Sequence, residues 1–128
     1  MKPVVLAVDD DPLVLELIGL YLWEHDVRVA LSARAGLAIL ASVRPVLILL
    51  DVRMPVMDGM EVLEIIRSRP RLSGARIMML TAIADRSIIA KAIAAGADGY
   101  MLKPFTRENL IRRVNRLLQW SEPKFTEI

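Results

Sequence analysis

The chain has 128 residues, 55% of them hydrophobic, with 17 Lys and Arg against 15 Asp and Glu, one His and no Cys. That is the size of one compact domain, and it excludes two full domains, a disulfide framework, a Cys-ligated metal centre and an intrinsically disordered chain. A net charge of +2 is too small to indicate a nucleic-acid partner by itself.

The first short apolar run, Val4–Val8, predicts a strand. It ends in three acids, unlike a secretory signal, and no later stretch reaches the roughly 18 apolar residues of a membrane span. A cytoplasmic protein without membrane contact is expected. Asp11 as N-cap and Pro12 at the first helical position open a helix predicted to run to about His25. Its stripe Val14, Leu17, Ile18 and Tyr21 is expected to face the core, leaving Leu13, Leu15, Leu20 and Leu22 as an exposed apolar surplus. His25 has no second His or Cys with which to form a ligand set and reads as a surface residue at the helix end.

Val27–Leu31 predicts the second strand and residues 32–42 the second helix. Val46–Leu50 is the third strand, and residues 59–68 the third helix. Ile77–Leu80 follows as a strand, residues 86–95 as a helix stopped by Gly96, Gly99–Leu102 as the last strand and residues 106–120 as the last helix. Met78 and Met79 read as core fillers. Nearly uniformly apolar strands alternating with helical patterns predict an α/β domain over residues 1–120, a doubly wound five-stranded parallel sheet with five helices. Residues 121–128 read as a tail or the start of a linker.

In an open parallel sheet, ligands bind beyond the carboxyl ends of the strands. The residues there are Asp9, Asp10 and Asp11, then Asp51, Thr81 and Lys103. Asp11 is read as a helix cap. Carboxylates meeting from two strands repel, and a hard divalent cation with oxygen ligands, Mg²⁺, is what stabilises them in a small solvated site. A carboxylate beside Mg²⁺, with a Lys and a hydroxyl aimed at the same crevice, has the parts for phosphoryl transfer. Asp51 is the best nucleophile candidate, because it ends a very apolar strand and is followed by Pro55 and Gly59, which suit a tightly shaped loop.

These residues fall in four segments: Val8-Asp9-Asp10-Asp11-Pro12, Leu49 to Gly59, Leu80-Thr81-Ala82 and Gly96 to Phe105. Over residues 3–118 the chain closely resembles the receiver domains of two-component response regulators, which have a flavodoxin-like (βα)5 fold. The resemblance implies a phosphoprotein switch in which Asp51 accepts the phosphoryl group. It makes Asp9, Asp10 and the backbone carbonyl of Arg53 metal ligands together with Asp51. Lys103 and Thr81 are then partners of the phosphoryl oxygens, and Tyr100 the aromatic that changes rotamer with Thr81.

The partners so implied are a sensor histidine kinase or histidine phosphotransferase, docked on the first helix, and a downstream protein or output domain. The output face is built from the fourth helix, fifth strand and fifth helix. A homodimer is a further expectation, either through that face, with Asp98 and Arg113 at positions where one subfamily keeps an ion pair, or through the apolar first helix. Asn109 and Asn115 stand where that subfamily carries charges.

Two other classes fit less well. An aspartate-nucleophile phosphohydrolase places Asp-x-Asp after the first strand, and a flavin mononucleotide carrier could not tolerate three acids in its phosphate loop. A receiver-like interaction module that is never phosphorylated is the remaining alternative. The arginines at 67, 69 and 71 and at 112, 113 and 116 lack aromatic interleaving and read as solvated or protein-contact faces, so no nucleic acid is expected on this domain.

Overall fold

The computed structural model describes residues 2–119. Five parallel strands, β1 (Val4–Val8), β2 (Asp26–Ala30), β3 (Leu47–Asp51), β4 (Arg76–Thr81) and β5 (Gly99–Leu102), form one sheet in the order β2-β1-β3-β4-β5. The helices are α1 (Pro12–Tyr21), α2 (Ala33–Leu40), α3 (Gly59–Arg67), α4 (Arg86–Ala94) and α5 (Arg107–Gln119). The expected tail, and Trp120 of the expected last helix, lie outside the described residues. No helix among the described residues is long and apolar enough to cross a membrane.

Alternation along each strand divides the core in two. Leu6, Ile48, Leu50, Ile77 and Met79 face α2, α3 and α4, which contribute Leu40, Leu63, Ile66 and Ala92. Val5, Ala7, Leu47, Leu49, Met78 and Leu80 face α1 and α5, which contribute Ile18, Leu110 and Val114. Both faces of β3 are covered, which is why it reads as an unbroken apolar run. Met78 and Met79 are core residues, one on each face.

Helix starts follow the capping residues. Asp11, Ser32, Asp58 and Asp85 each accept a backbone N–H of the helix they precede, and the Thr106 hydroxyl does so for Asn109. The ends are less legible. α1 stops at Tyr21, not His25, since buried Leu22 leaves the helical conformation and a turn carries the chain to β2. His25 is half-buried beyond the helix. β2 is an edge strand, so its Val29 is exposed despite its apolar side chain. A short 3-10 turn, Pro70–Leu72, precedes β4 and has no counterpart in the predicted elements.

The core face of α1 also differs from expectation. Leu15, Ile18 and Leu22 are buried, Val14, Leu17 and Tyr21 are half-buried, and only Leu13 and Leu20 of the expected surplus are exposed. The helix packs against α5 as well as the sheet, so its buried stripe is rotated toward that second neighbour.

Asp98 does not pair with Arg113. Its carboxylate accepts the Ile77 N–H at 2.8 Å and the Arg67 guanidinium at 2.9 Å, while Arg113 donates to the Tyr100 carbonyl. Arg67 also donates to the carbonyls of Gly96 and Ala75, both at 2.9 Å. One side chain from the end of α3 therefore ties together the approach to β4 and the turn after α4, where Gly96 takes φ +108°. The fork geometry of arginine makes this threefold contact, and a lysine ammonium cannot reproduce it.

Arg67→Ala should lower the unfolding free energy by about 1.5–3 kcal/mol, with Arg67→Lys recovering less than half of the loss. Urea denaturation measures both, and an Arg67→Ala protein within about 0.5 kcal/mol of the parent would show that the clamp is not stabilising.

Candidate functional site

Every site residue predicted from strand ends lies at the carboxyl edge of the sheet. The order reverses between β1 and β3, whose register pairs Val8 with Leu50, so Asp9 and Asp51 emerge side by side at the switch point. Asp51 is the last residue of β3 and Thr81 the last of β4, each still within its strand. Lys103 follows β5, and its N–H donates to the Thr81 carbonyl at 2.8 Å. The Lys103–Pro104 peptide is cis.

The centre is a lysine bridging two buried carboxylates. Lys103 Nζ donates to Asp9 Oδ2 at 3.0 Å and to Asp51 Oδ1 at 3.2 Å. Asp9 has no exposed surface and Asp51 is 3% exposed, whereas Asp10 faces solvent. Asp9 Oδ1 also accepts the Asp11 N–H, and Asp51 Oδ1 accepts the Arg53 N–H. Each of Asp9, Asp10 and Asp51 offers an oxygen within 4.8 Å of the others'.

The electrostatics follow from this crowding. Burial, reinforced by the Asp9 charge, raises the Asp51 carboxyl from 3.8 to about 6, against the opposing pull of Lys103 and the Arg53 N–H. Burial draws the Lys103 ammonium down, but its bonds to and charge attraction from Asp9 and Asp51 outweigh this and hold it above its ordinary value. One ammonium thus faces three carboxylates. The donor set, all oxygen and open to solvent on the Asp10 side, suits a hard divalent cation that keeps part of its water.

The local loops are shaped to this site. Asp58 caps α3, and Gly59 lies so close to Asp51 that a Cβ there would be 2.1 Å from the Asp51 carbonyl oxygen. Only glycine permits this approach, which lets α3 begin directly under the acid. Val56, at the exposed tip of the intervening loop, takes φ +72°, an unfavourable conformation for a β-branched residue.

The remaining predicted residues lie around this centre. Thr81 is buried, and its hydroxyl accepts the Ile83 N–H and donates to the Ile83 carbonyl, both at 3.1 Å. Arg53 is exposed just past Asp51. Tyr100 is half-buried against the α2–α3–α4 side of the core, with the Arg113 guanidinium 5.9 Å from its ring centre. Sequence reasoning missed the Thr81–Ile83 turn and the Arg67–Asp98 clamp. The first is a local Ser/Thr-turn signal that could have been read; the second joins residues 31 apart and leaves no local trace.

Beside the acids, Leu13, Val14, Leu17, Ala82, Pro104 and Phe105 line an apolar hollow of about 400 Å³. Phe105 packs edge-on against Tyr21 there, with ring centres 6.4 Å apart. The hollow is continuous with the exposed Leu13 of α1 and opens next to Lys103.

Comparison with known proteins agrees with this geometry. The family model of the response regulator receiver domain matches residues 5–115. The DNA-binding dual master transcriptional regulator RpaA of Synechocystis is 34% identical over 91% of this chain and 49% of its own length. The DNA-binding response regulator MtrA of Mycolicibacterium smegmatis is 34% identical over all of this chain and 56% of its own. The chain therefore spans about half the length of these curated relatives. Among solved structures, the chemotaxis response regulator CheY4 of Vibrio cholerae superposes with a TM-score of 0.87 at 31% identity, covering 91% of this chain and 99% of that one. With its sheet order, its acidic edge and a family match over most of its length, the chain belongs to the response regulator receiver domains.

Proposed function

We propose that Asp51 is the phospho-accepting group of this receiver domain and that Asp9, Asp10, Asp51 and the backbone carbonyl of Arg53 hold Mg²⁺. The observation that carries the reading is the single Lys103 ammonium spanning Asp9 and Asp51 beside Asp10, an arrangement short of positive charge. When bound, Mg²⁺ supplies the charge that neutralises the acids and the incoming phosphoryl oxygens.

A carboxylate oxygen of Asp51 attacks the phosphorus of a phospho-His or small acyl phosphate. The bond to the donor breaks, and its electron pair leaves with the imidazole or carboxylate. Lys103 takes a phosphoryl oxygen as partner, and Thr81 exchanges its Ile83 contacts for another. The half-buried Tyr100 follows Thr81 and alters the face formed by α4, β5 and α5, shifting an equilibrium that the free protein already samples. The domain catalyses only its own phosphorylation and dephosphorylation.

The donor is a sensor histidine kinase or histidine phosphotransferase in the cytoplasm. It docks on exposed Leu13 and Leu20 of α1 and the hollow beside Lys103. The receiver acts on a downstream protein or an output domain, and it touches proteins, not nucleic acid. The DNA binding named for RpaA and MtrA belongs, in this reading, to the half of those proteins that this chain does not match.

Incubation with acetyl phosphate and Mg²⁺ should add one phosphoryl group by intact mass, and Asp51→Asn or a chelator should abolish it. A protein that binds Mg²⁺ yet takes up no phosphate would instead be a constitutive interaction module.

Protonated Asp51 is favoured by the fold, since its value of about 6 lies above the ordinary 3.8. That stabilisation is complete below the ordinary value and is lost as pH rises through about 6. In metal-free buffer, Asp51→Asn should therefore be more stable than the parent by about 2 kcal/mol near pH 7, the gain shrinking toward zero by about pH 4. Urea denaturation in chelator at both pH values checks the sign, and a constant difference rejects the assignment of the shift to Asp51.

Leu13→Glu and Leu20→Glu should reduce transfer from the phospho-His donor by about tenfold or more, with uptake from acetyl phosphate unchanged. Equal loss of both reactions would remove α1 as the docking helix.

A further inference from the structure

Helices that join parallel strands run back against them, and α5 likewise returns the chain to the amino edge of the sheet, the edge opposite the acids. Leu117 and Leu118 in its last turn border a hollow of about 530 Å³. The other walls are the entries to β3 and β4 and the 3-10 turn between α3 and β4.

The hollow is partly apolar. Leu117 and Leu118 are half-buried, and Val46 is 40% exposed where it leads into an otherwise buried strand. Its charge is all of one sign, since Arg44, Arg71 and Arg76 line it and no acid does. Arg71 donates to the Leu40 carbonyl, which ties the 3-10 turn to the end of α2. Among the described residues, neither Arg44 nor Arg71 is paired with a carboxylate.

The sequence that follows Gln119 starts beside this hollow and has the chemistry to fill it. It carries the apolar Trp120, Phe125 and Ile128 and the acids Glu122 and Glu127, against a single base, Lys124. Pro123 opposes continuation of α5 through Glu122. Residues 120–128, fully extended, reach about 30 Å, the diameter of a small domain. A segment tethered to the wall of the hollow is present there at an effective concentration in the roughly millimolar range, so weak contacts are enough to seat it. Two other occupants fit less well. A second copy placed hollow to hollow would set arginine against arginine, and no aromatic side chain lines the hollow to stack on a nucleic-acid base.

We propose that residues 120–128 dock into this hollow at the amino edge of the sheet. Trp120 and Phe125 cover Val46, Leu117 and Leu118, and the Glu122 carboxylate meets the guanidinium groups of Arg44 and Arg71. The planar fork of arginine suits the task because it engages a carboxylate with two parallel hydrogen bonds. The seat lies at the other end of the strands from Asp51, so it requires neither Mg²⁺ nor a phosphoryl group. A segment held there stays clear of the acidic edge and of the face formed by α4, β5 and α5, leaving both open to partners.

The chain has no Cys, so Thr126→Cys gives a single attachment point for a nitroxide in the full chain. Amide signals of Arg44, Val46, Ser73 and Gly74 should weaken at least about twofold against a diamagnetic label. Glu122→Lys should restore most of the lost intensity, and Arg44→Glu added to that variant should bring the broadening back.

Broadening spread evenly around the end of α5 and indifferent to Glu122→Lys overturns the proposal, and so does a charge exchange that brings nothing back. Broadening that arises between chains, in a mixture of spin-labelled and isotope-labelled protein, makes a second copy the occupant and overturns it too. Broadening centred on Tyr100 and Leu102 does the same by placing the segment on the β5–α5 flank. Phosphoryl uptake at Asp51, followed by intact mass, should be equal in the parent and in Glu122→Lys. Loss of uptake in both, with the broadening intact, rejects the switch alone.

Discussion

The bridge from Lys103 to Asp9 and Asp51 is the contact on which the rest of this structure depends. Both acids are carried to the carboxyl edge of the sheet by apolar strands that cannot be repositioned without exposing the core, because β1 and β3 are covered on both faces. Leaving two such carboxylates unpaired would cost several kcal/mol, and a single ammonium only partly offsets their repulsion. Burial first, and the Asp9 charge second, leave the Asp51 carboxyl raised to about 6. The site is thus held short of positive charge by the same packing that makes the sheet stable.

Lys103, which spans the two acids, is connected to the approach to α4 by short paths. Lys103 follows directly on β5, an edge strand with one neighbour, and its N–H is bonded to Thr81 at the end of β4. Thr81 in turn holds Ile83 at the start of the segment leading to α4. Among the helices, α4 is also the least anchored. α3 buries Gly59, Val62, Leu63 and Ile66, whereas α4 buries Ala92 alone. A helix with so little buried apolar surface lies at the low end of local stability, where a small charge change is enough to shift a population.

Much of this was legible in the sequence because strand ends are legible. A parallel strand covered on both faces reads as an apolar run, and the polar residue that breaks the run falls at the ligand-binding edge; Asp9, Asp51, Thr81 and Lys103 were all found this way. Capping residues marked the helix starts for the same local reason. What escaped was set by tertiary partners. The buried stripe of α1 turned on its second neighbour, α5, bringing Leu15 and Leu22 inward. Asp98 found Arg67 across 31 residues instead of Arg113 on the adjacent helix. Periodicity defines a face but not which neighbour claims it.

The clamp at Arg67 also decides how α4 can move. The turn after α4 is fixed by the Arg67 bond to Gly96 and by the bond of Asp98 to the Ile77 N–H in β4, whereas its first turn is held by the Asp85 cap. Thr81 holds Ile83 next to the capped end, and the opposite end is tied down at Gly96. The helix is therefore anchored across the fold at its carboxyl end, with Lys91 and Arg86 lying progressively nearer its amino end. Arg113 and Arg116 stand on α5, whose Leu110 and Val114 are fully buried and keep it in place. The face between the two helices consequently has one side set into the core along its length and one side held mainly at its ends.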